Sequence, residues 1–168
     1  PMLADLQRYA GRVGVSLTDE QVAAMREYWQ AVLETNRHTN LTRITDDRDA
    51  TLKHFVDSLT VLKTGLFSEG ASVVDVGSGA GFPGVPLKIA RPDLRVTFVD
   101  ATLKRVRFLQ SVIDMFGWDD VQAVHGRAED VGRQNGWARA FDVAIARAVA
   151  KLDVPAGWCL PFVRDGGH

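Results

Sequence analysis

Val73-Val74-Asp75-Val76-Gly77-Ser78-Gly79-Ala80-Gly81-Phe82-Pro83-Gly84 lies near the middle of a 168-residue chain. A valine-dominated run of four reads as a buried strand. It halts at a glycine cluster, and Pro86, Leu87 and Ile89 continue as a helix, which gives the strand-loop-helix of a nucleotide-binding α/β unit. Glycines let the backbone turn sharply and approach a ligand closely. The first amides of the helix are expected to point unpaired donors into the same space.

The glycine spacing narrows the ligand. A dinucleotide fingerprint, Gly-x-Gly-x-x-Gly, would put its third glycine at position 82, where Phe82 stands. Gly77-x-Gly79-x-Gly81, with Asp75 two residues ahead, is instead the pattern of S-adenosylmethionine-dependent methyltransferases of the Rossmann-like class. That ligand has no pyrophosphate, so the loop is expected to meet an amino-acid zwitterion and a ribose.

Downstream, strands alternate with helices, which predicts a mostly parallel sheet with helices on both faces. A helix over about 84–90 leads to a second strand, Val96 to Val99, ending in Asp100. The next helix is expected to bury Leu103, Val106, Leu109, Val112, Ile113 and Phe116. Val121 to Val124 is a third strand, followed by the polar run Gly126-Arg127-Ala128-Glu129-Asp130. Val143 to Ala146 is a fourth strand, followed by Arg147, and Val154 to Phe162 reads as a helix distorted by Pro155. Each strand ends in a polar residue at its carboxyl end, where ligands bind in open α/β sheets.

Upstream, Leu3, Leu6 and Tyr9 recur at helical spacing. Thr18-x-x-Gln21 is a capping box opening a helix that buries Val22, Met25, Trp29, Val32 and Leu33. After the polar stretch Asn36 to Arg43, a third helix starts past Asp46 or Asp47. It is expected to bury Leu52, Phe55, Leu59 and Leu62 and to end near Gly65, with Lys53 and Asp57 able to pair at i,i+4 and His54 in a structural hydrogen bond. The cluster Gly65, Ser68, Gly70 divides a helical extension, residues 1–68, from a sheet domain, residues 69–168.

Composition is that of an ordinary soluble protein, 46% apolar and 24% charged, with a net charge of −1 that excludes a uniformly basic surface. No apolar run reaches the roughly 20 residues needed to span a bilayer. No secretory signal pattern opens the chain, and Cys159 as the single cysteine gives neither a disulfide framework nor a cysteine metal cluster. These features point to the cytoplasm, with no membrane association and no metal site. Locally, residues 88–107 hold Lys88, Arg91, Arg95, Lys104, Arg105 and Arg107 against Asp93 and Asp100, six bases to two acids, a segment that would attract phosphate.

Asp100, at the end of the second strand, stands where a carboxylate accepts hydrogen bonds from ribose hydroxyls; a helix N-cap is its plainer role. Ala128 and Glu129 would lie over an adenine. Arg147 could bond a methionine carboxylate or a substrate phosphate bidentately.

Five motifs in order, Asn36-Arg37-His38-Thr39-Asn40-Leu41-Thr42, Lys53-His54-Phe55-Val56-Asp57-Ser58-Leu59, Asp75 to Gly84, His125-Gly126-Arg127-Ala128-Glu129 and Ala146-Arg147-Ala148-Val149-Ala150, resemble the RsmG (GidB) family of bacterial small-subunit rRNA methyltransferases. The resemblance implies a Rossmann-like class I methyltransferase fold with an N-terminal helical extension, and a final strand pair beyond His168. It further implies methyl transfer from S-adenosyl-L-methionine to N7 of guanine 527 in the 530 loop of 16S rRNA, on the RNA or the small ribosomal subunit; a monomer is expected. The implied cofactor contacts are Gly77, Gly79, Gly81, Phe82, Asp100, Ala128, Glu129 and Arg147. Candidate RNA contacts are Asn36, Arg37, Arg43, Lys53, Lys104 and Arg105. No catalytic residue is expected beyond positioning, because N7 carries a free lone pair. A methyltransferase of another substrate, an RNA-binding assembly factor without catalysis, and a nicotinamide dehydrogenase are the alternatives.

Overall fold

A computed structural model describes residues 2–134 and 140–146. Four parallel strands, β1 (Ser72–Val76), β2 (Arg95–Asp100), β3 (Val121–His125) and β4 (Val143–Ile145), lie in the order β3-β2-β1-β4. Val73 sits opposite both Val96 and Val143, so β1 is central and the chain reverses its direction of travel beside it. The carboxyl end of β1 is therefore a topological switch point. β1 and β2 are buried along nearly their whole length, as strands covered on both faces must be.

Helices α5 (Gly84–Ala90), α6 (Leu103–Phe116) and α7 (Ala128–Gln134) follow β1, β2 and β3. The seven-residue α7 replaces the polar run expected after β3; its buried side is only Ala128, Val131 and Gly132. In α6 the buried stripe is Phe108, Leu109, Val112 and Ile113. Leu103, expected inside, is 43% exposed, and Val106 and Phe116, also expected inside, are half-buried.

The extension consists of α1 (Leu6–Arg12), α2 (Asp19–Asn36) and a segment that changes pitch three times: α3 (Asp47–Asp49), a π-helical stretch (Ala50–Val56), α4 (Asp57–Thr60) and a 3-10 turn (Val61–Thr64) closed by Gly65. The wider π turns shift the buried face, so Ala50, Thr51, Phe55, Val56, Ser58 and Leu59 are inside, while Leu52 and Leu62 are only half-buried. Lys53 approaches Asp49, one turn back, at 3.8 Å. His54 bonds the Thr42 hydroxyl at 2.8 Å and stacks on Phe82 with ring centroids 4.1 Å apart.

The capping box at the start of α2 is present, and Gln21 has a second role there. Its amide also donates to the carbonyls of Ile89 and Ala90, fastening α2 to the end of α5. Tyr28, fully buried, donates to the Ala80 carbonyl at 2.6 Å. The extension and the sheet share one apolar core, in which Tyr28, Trp29 and Phe55 surround Phe82.

Two of the six bases of residues 88–107 are structural. Lys88 is buried, and its ammonium meets the Pro92 and Leu94 carbonyls and the Asp120 carboxylate at 2.7, 2.8 and 2.9 Å. Arg91 grips Asp93 bidentately at 2.9 and 2.8 Å. That bond, aided by the Gly70 amide, holds the Asp93 carboxyl well below the usual carboxylate range. A lowered folded-state pKa adds stability that is present above about pH 4 and lost as the pH falls through the folded value. Asp93→Asn is therefore expected to flatten the acid limb of the stability curve, read by urea unfolding at successive pH values; an unchanged limb would reject the linkage.

Candidate functional site

The carboxyl ends of β1, β2 and β3 open into a crevice of about 420 Å³. Val76 and Gly77 form one wall, Val99 to Thr102 and Arg105 the floor, and Gly126 to Glu129 the other wall. Asp100 is 4% exposed, yet its carboxylate borders this space. One oxygen accepts from the Thr102 amide at 2.8 Å and the other from the Gly79 amide at 3.2 Å. Asp100 thus organises both the entry to α6 and the glycine loop, and each oxygen keeps further acceptor capacity for a ligand. Across the crevice, the His125 ring donates to the Ala101 carbonyl at 3.0 Å and ties the ends of β2 and β3 together.

The glycine loop departs from its expected form. Most of its amides, and the first amides of α5, are paired within the protein rather than left for a ligand. Gly77 donates to Val99, Gly81 and Phe82 to Ser78, and Val85 to Gly81. Gly84 donates to the buried Asp75 carboxylate at 3.0 Å. These donors close the loop on itself, and a loop with so few amides to spare does not make a pyrophosphate cradle. Asp75 accordingly anchors the start of α5.

The structure brings Gly77, Asp100, Ala128 and Glu129 together around one space, with Gly79 attached through Asp100. Gly81 and the Phe82 side chain face the core: a Cβ on Gly81 would lie 2.7 Å from Val85 and 2.9 Å from the Tyr28 hydroxyl, and Phe82 is 6% exposed. Arg147 and the helix expected over 154–162 lie outside the described residues. Of the RNA candidates, Arg105 lines the crevice, whereas Arg37, Arg43, Lys53 and Lys104 are exposed. Asn36 turns its carbonyl oxygen to the Leu41 and Thr42 amides at 2.8 and 3.0 Å, organising the polar loop. Sequence reasoning passed over Ala101, Thr102 and Arg127 as crevice residues; a strand-end acid followed by a helix start was the available signal. Among the described residues, no group of three or more His, Cys, Asp or Glu could hold a metal ion, and no helix is long and apolar enough to cross a membrane.

This parallel sheet, with its switch-point crevice and helical extension, has the Rossmann-like class I methyltransferase fold. Two solved structures share that fold: an Aquifex aeolicus SAM-dependent methyltransferase, at TM-score 0.51 and 21% identity over 71% of this chain and 63% of that one, and a Plasmodium falciparum protein crystallised with S-adenosyl-L-homocysteine, at TM-score 0.52 and 15% identity over 87% and 73%. The family model of GidB, rRNA small subunit methyltransferase G, matches residues 21–168. The ribosomal RNA small subunit methyltransferase G of Leuconostoc mesenteroides is 50% identical over 157 residues, and that of Lactobacillus acidophilus 48% over 154. The alignments cover 92% and 90% of this chain, which spans 66% and 64% of those proteins. The chain belongs to the GidB family.

Proposed function

We propose that this chain acts as an S-adenosyl-L-methionine-dependent methyltransferase on N7 of guanine 527 in 16S rRNA, in the cytoplasm and as a monomer. The observation that carries the reading is the crevice at the switch point, bordered by the Asp100 carboxylate and walled by residues 126–129, in a chain of the GidB family. Its residues fit the cofactor: an acceptor-only carboxylate suits a ribose diol, and the Ala128 and Glu129 wall offers backbone and carboxylate to an adenine edge. The internally bonded loop suits a ligand without phosphates.

S-adenosyl-L-methionine supplies, when bound, a methyl group on a sulfonium. Guanine N7 needs no proton removed before it attacks, so the protein's task is to hold two partners in line and exclude water. Gly77 allows close approach, and Asp100, fixed from two sides by backbone amides, sets the depth of the nucleoside. Residues 1–68 together with Lys104 and Arg105 serve the RNA, and the rest of 69–168 the cofactor; Arg37, Arg43, Lys53, Lys104 and Arg105 meet RNA phosphates.

Labelled-methyl transfer onto small subunits lacking the modification, with the product nucleotide mapped, tests the proposal. Transfer to guanine 527 is expected, and no transfer or a different nucleotide overturns it. Asp100→Ala is expected to weaken cofactor binding by about 1–3 kcal/mol through loss of charge-assisted hydrogen bonds, read by calorimetry, and an unchanged dissociation constant would reject the role given to Asp100.

A further inference from the structure

Tyr9 lies on α1 between two arginines. The Arg8 and Arg12 guanidiniums each stand over its ring, 5.2 Å from the centroid, so three flat groups are gathered on one patch of a short helix. Both arginines are exposed, while Tyr9 is half-buried and packs against the core, which holds the patch in place. The charges around it are unevenly answered. Toward α2, a groove of about 320 Å³ is lined by Arg8 and Arg26 but also by Asp5 and Asp19, and Arg8 pairs with Asp5 at 3.1 Å; that side is balanced. Toward the end of α1 it is not. Arg12 and Lys63 have no carboxylate partner among the described residues, and the Lys63 ammonium reaches the Gly14 carbonyl, just past α1, at 3.4 Å. Offsetting the helix dipole accounts for Arg12 in the last turn, but not for Lys63 or for a ring shared by two guanidiniums.

The patch stands apart from the loop that carries Arg37. Gln7 on α1 donates to the Leu17 carbonyl and the Asp19 carboxylate at 2.7 and 3.1 Å, which places α1 at the start of α2, whereas the Arg37 loop follows the end of α2. The rise of an α-helix puts those two ends roughly 25 Å apart. Aromatic and guanidinium planes stack on unpaired bases, and cations without acid partners hold phosphates. We propose that Arg8, Tyr9 and Arg12, with Lys63, form a second RNA-binding surface, which takes an unpaired segment of the rRNA away from the methylated guanine. The inference rests on the rRNA reading above and adds to it a preference for a substrate large enough to reach both ends of α2.

Filter binding that compares small ribosomal subunits with a short hairpin carrying only the target loop tests the proposal. The unaltered chain is expected to hold subunits more tightly than the hairpin. The double variant Arg12→Ala, Lys63→Ala is expected to hold subunits about tenfold more weakly, with a salt slope reduced by about 1.5. Its affinity for the hairpin and for S-adenosyl-L-homocysteine, and its melting temperature, are expected to match those of the unaltered chain. Tyr9→Leu, which removes stacking but no charge, is expected to weaken subunit binding by about the same factor and leave the salt slope alone. Unchanged subunit binding by the double variant, an equal loss on the hairpin, or a loss seen only on vesicles containing phosphatidylglycerol overturns the proposal. Failure of the unaltered chain to retain either RNA overturns the rRNA reading, and this inference with it.

Discussion

Gly84→Ala is expected to lose about 3 kcal/mol or more of stability, measured as a drop in the urea midpoint with little change in slope. A Cβ at this position would lie 2.4 Å from Phe98 Cε1 and 2.5 Å from Asp75 Oδ2. Neither neighbour has room to give: Phe98 is 1% exposed, and Asp75 is wholly buried in the central strand. Displacing α5 to admit the methyl group would stretch the hydrogen bond from the Gly84 amide to Asp75, weakening the support of a buried carboxylate. Overpacking and loss of that bond therefore act together. A loss under about 1 kcal/mol would show that α5 can slide on β1, contrary to this account.

Lys88→Met is the second large effect, expected at about 3 kcal/mol by the same measurement. Methionine matches the aliphatic stem as far as Cε, so the change reads the ammonium rather than the stem. That ammonium joins the last turn of α5, the carbonyls of Pro92 and Leu94 leading into β2, and Asp120 just ahead of β3. Removing it strips a donor from two carbonyls and leaves Asp120 without its cation. The Asp120 side chain is 33% exposed and partly recovers water, which keeps the figure at the lower end for a broken buried pair. Stability within about 1 kcal/mol of the unaltered chain would mean that water replaces the ammonium at all three sites.

The strands were readable because period and composition agree: β1 and β2 are runs of valine and phenylalanine bounded by glycine, proline and aspartate. The start of α2 was readable because a capping box is a local device, complete within Thr18 to Gln21. Leu52 and Leu62 were misplaced because a 3.6-residue period was carried through a stretch that winds as a π-helix, a change of pitch without a local signature. Lys88 was taken for a surface base because long cations are seldom buried; its acceptors lie in turns 4 to 32 residues away. At the site, Asp100 and the β3 wall followed from the rule of strand ends, whereas the fate of the loop amides depended on partners such as Val99 and Asp75 that only the folded chain brings near.

The hydrogen bond from Tyr28 to Ala80 joins the longest helix of the extension to the turn beside the crevice. Thermodynamic linkage makes such a connection reciprocal. A partner whose docking on α2 moves Tyr28 changes the affinity of the crevice for its occupant, and the occupant changes the partner's affinity by the same factor.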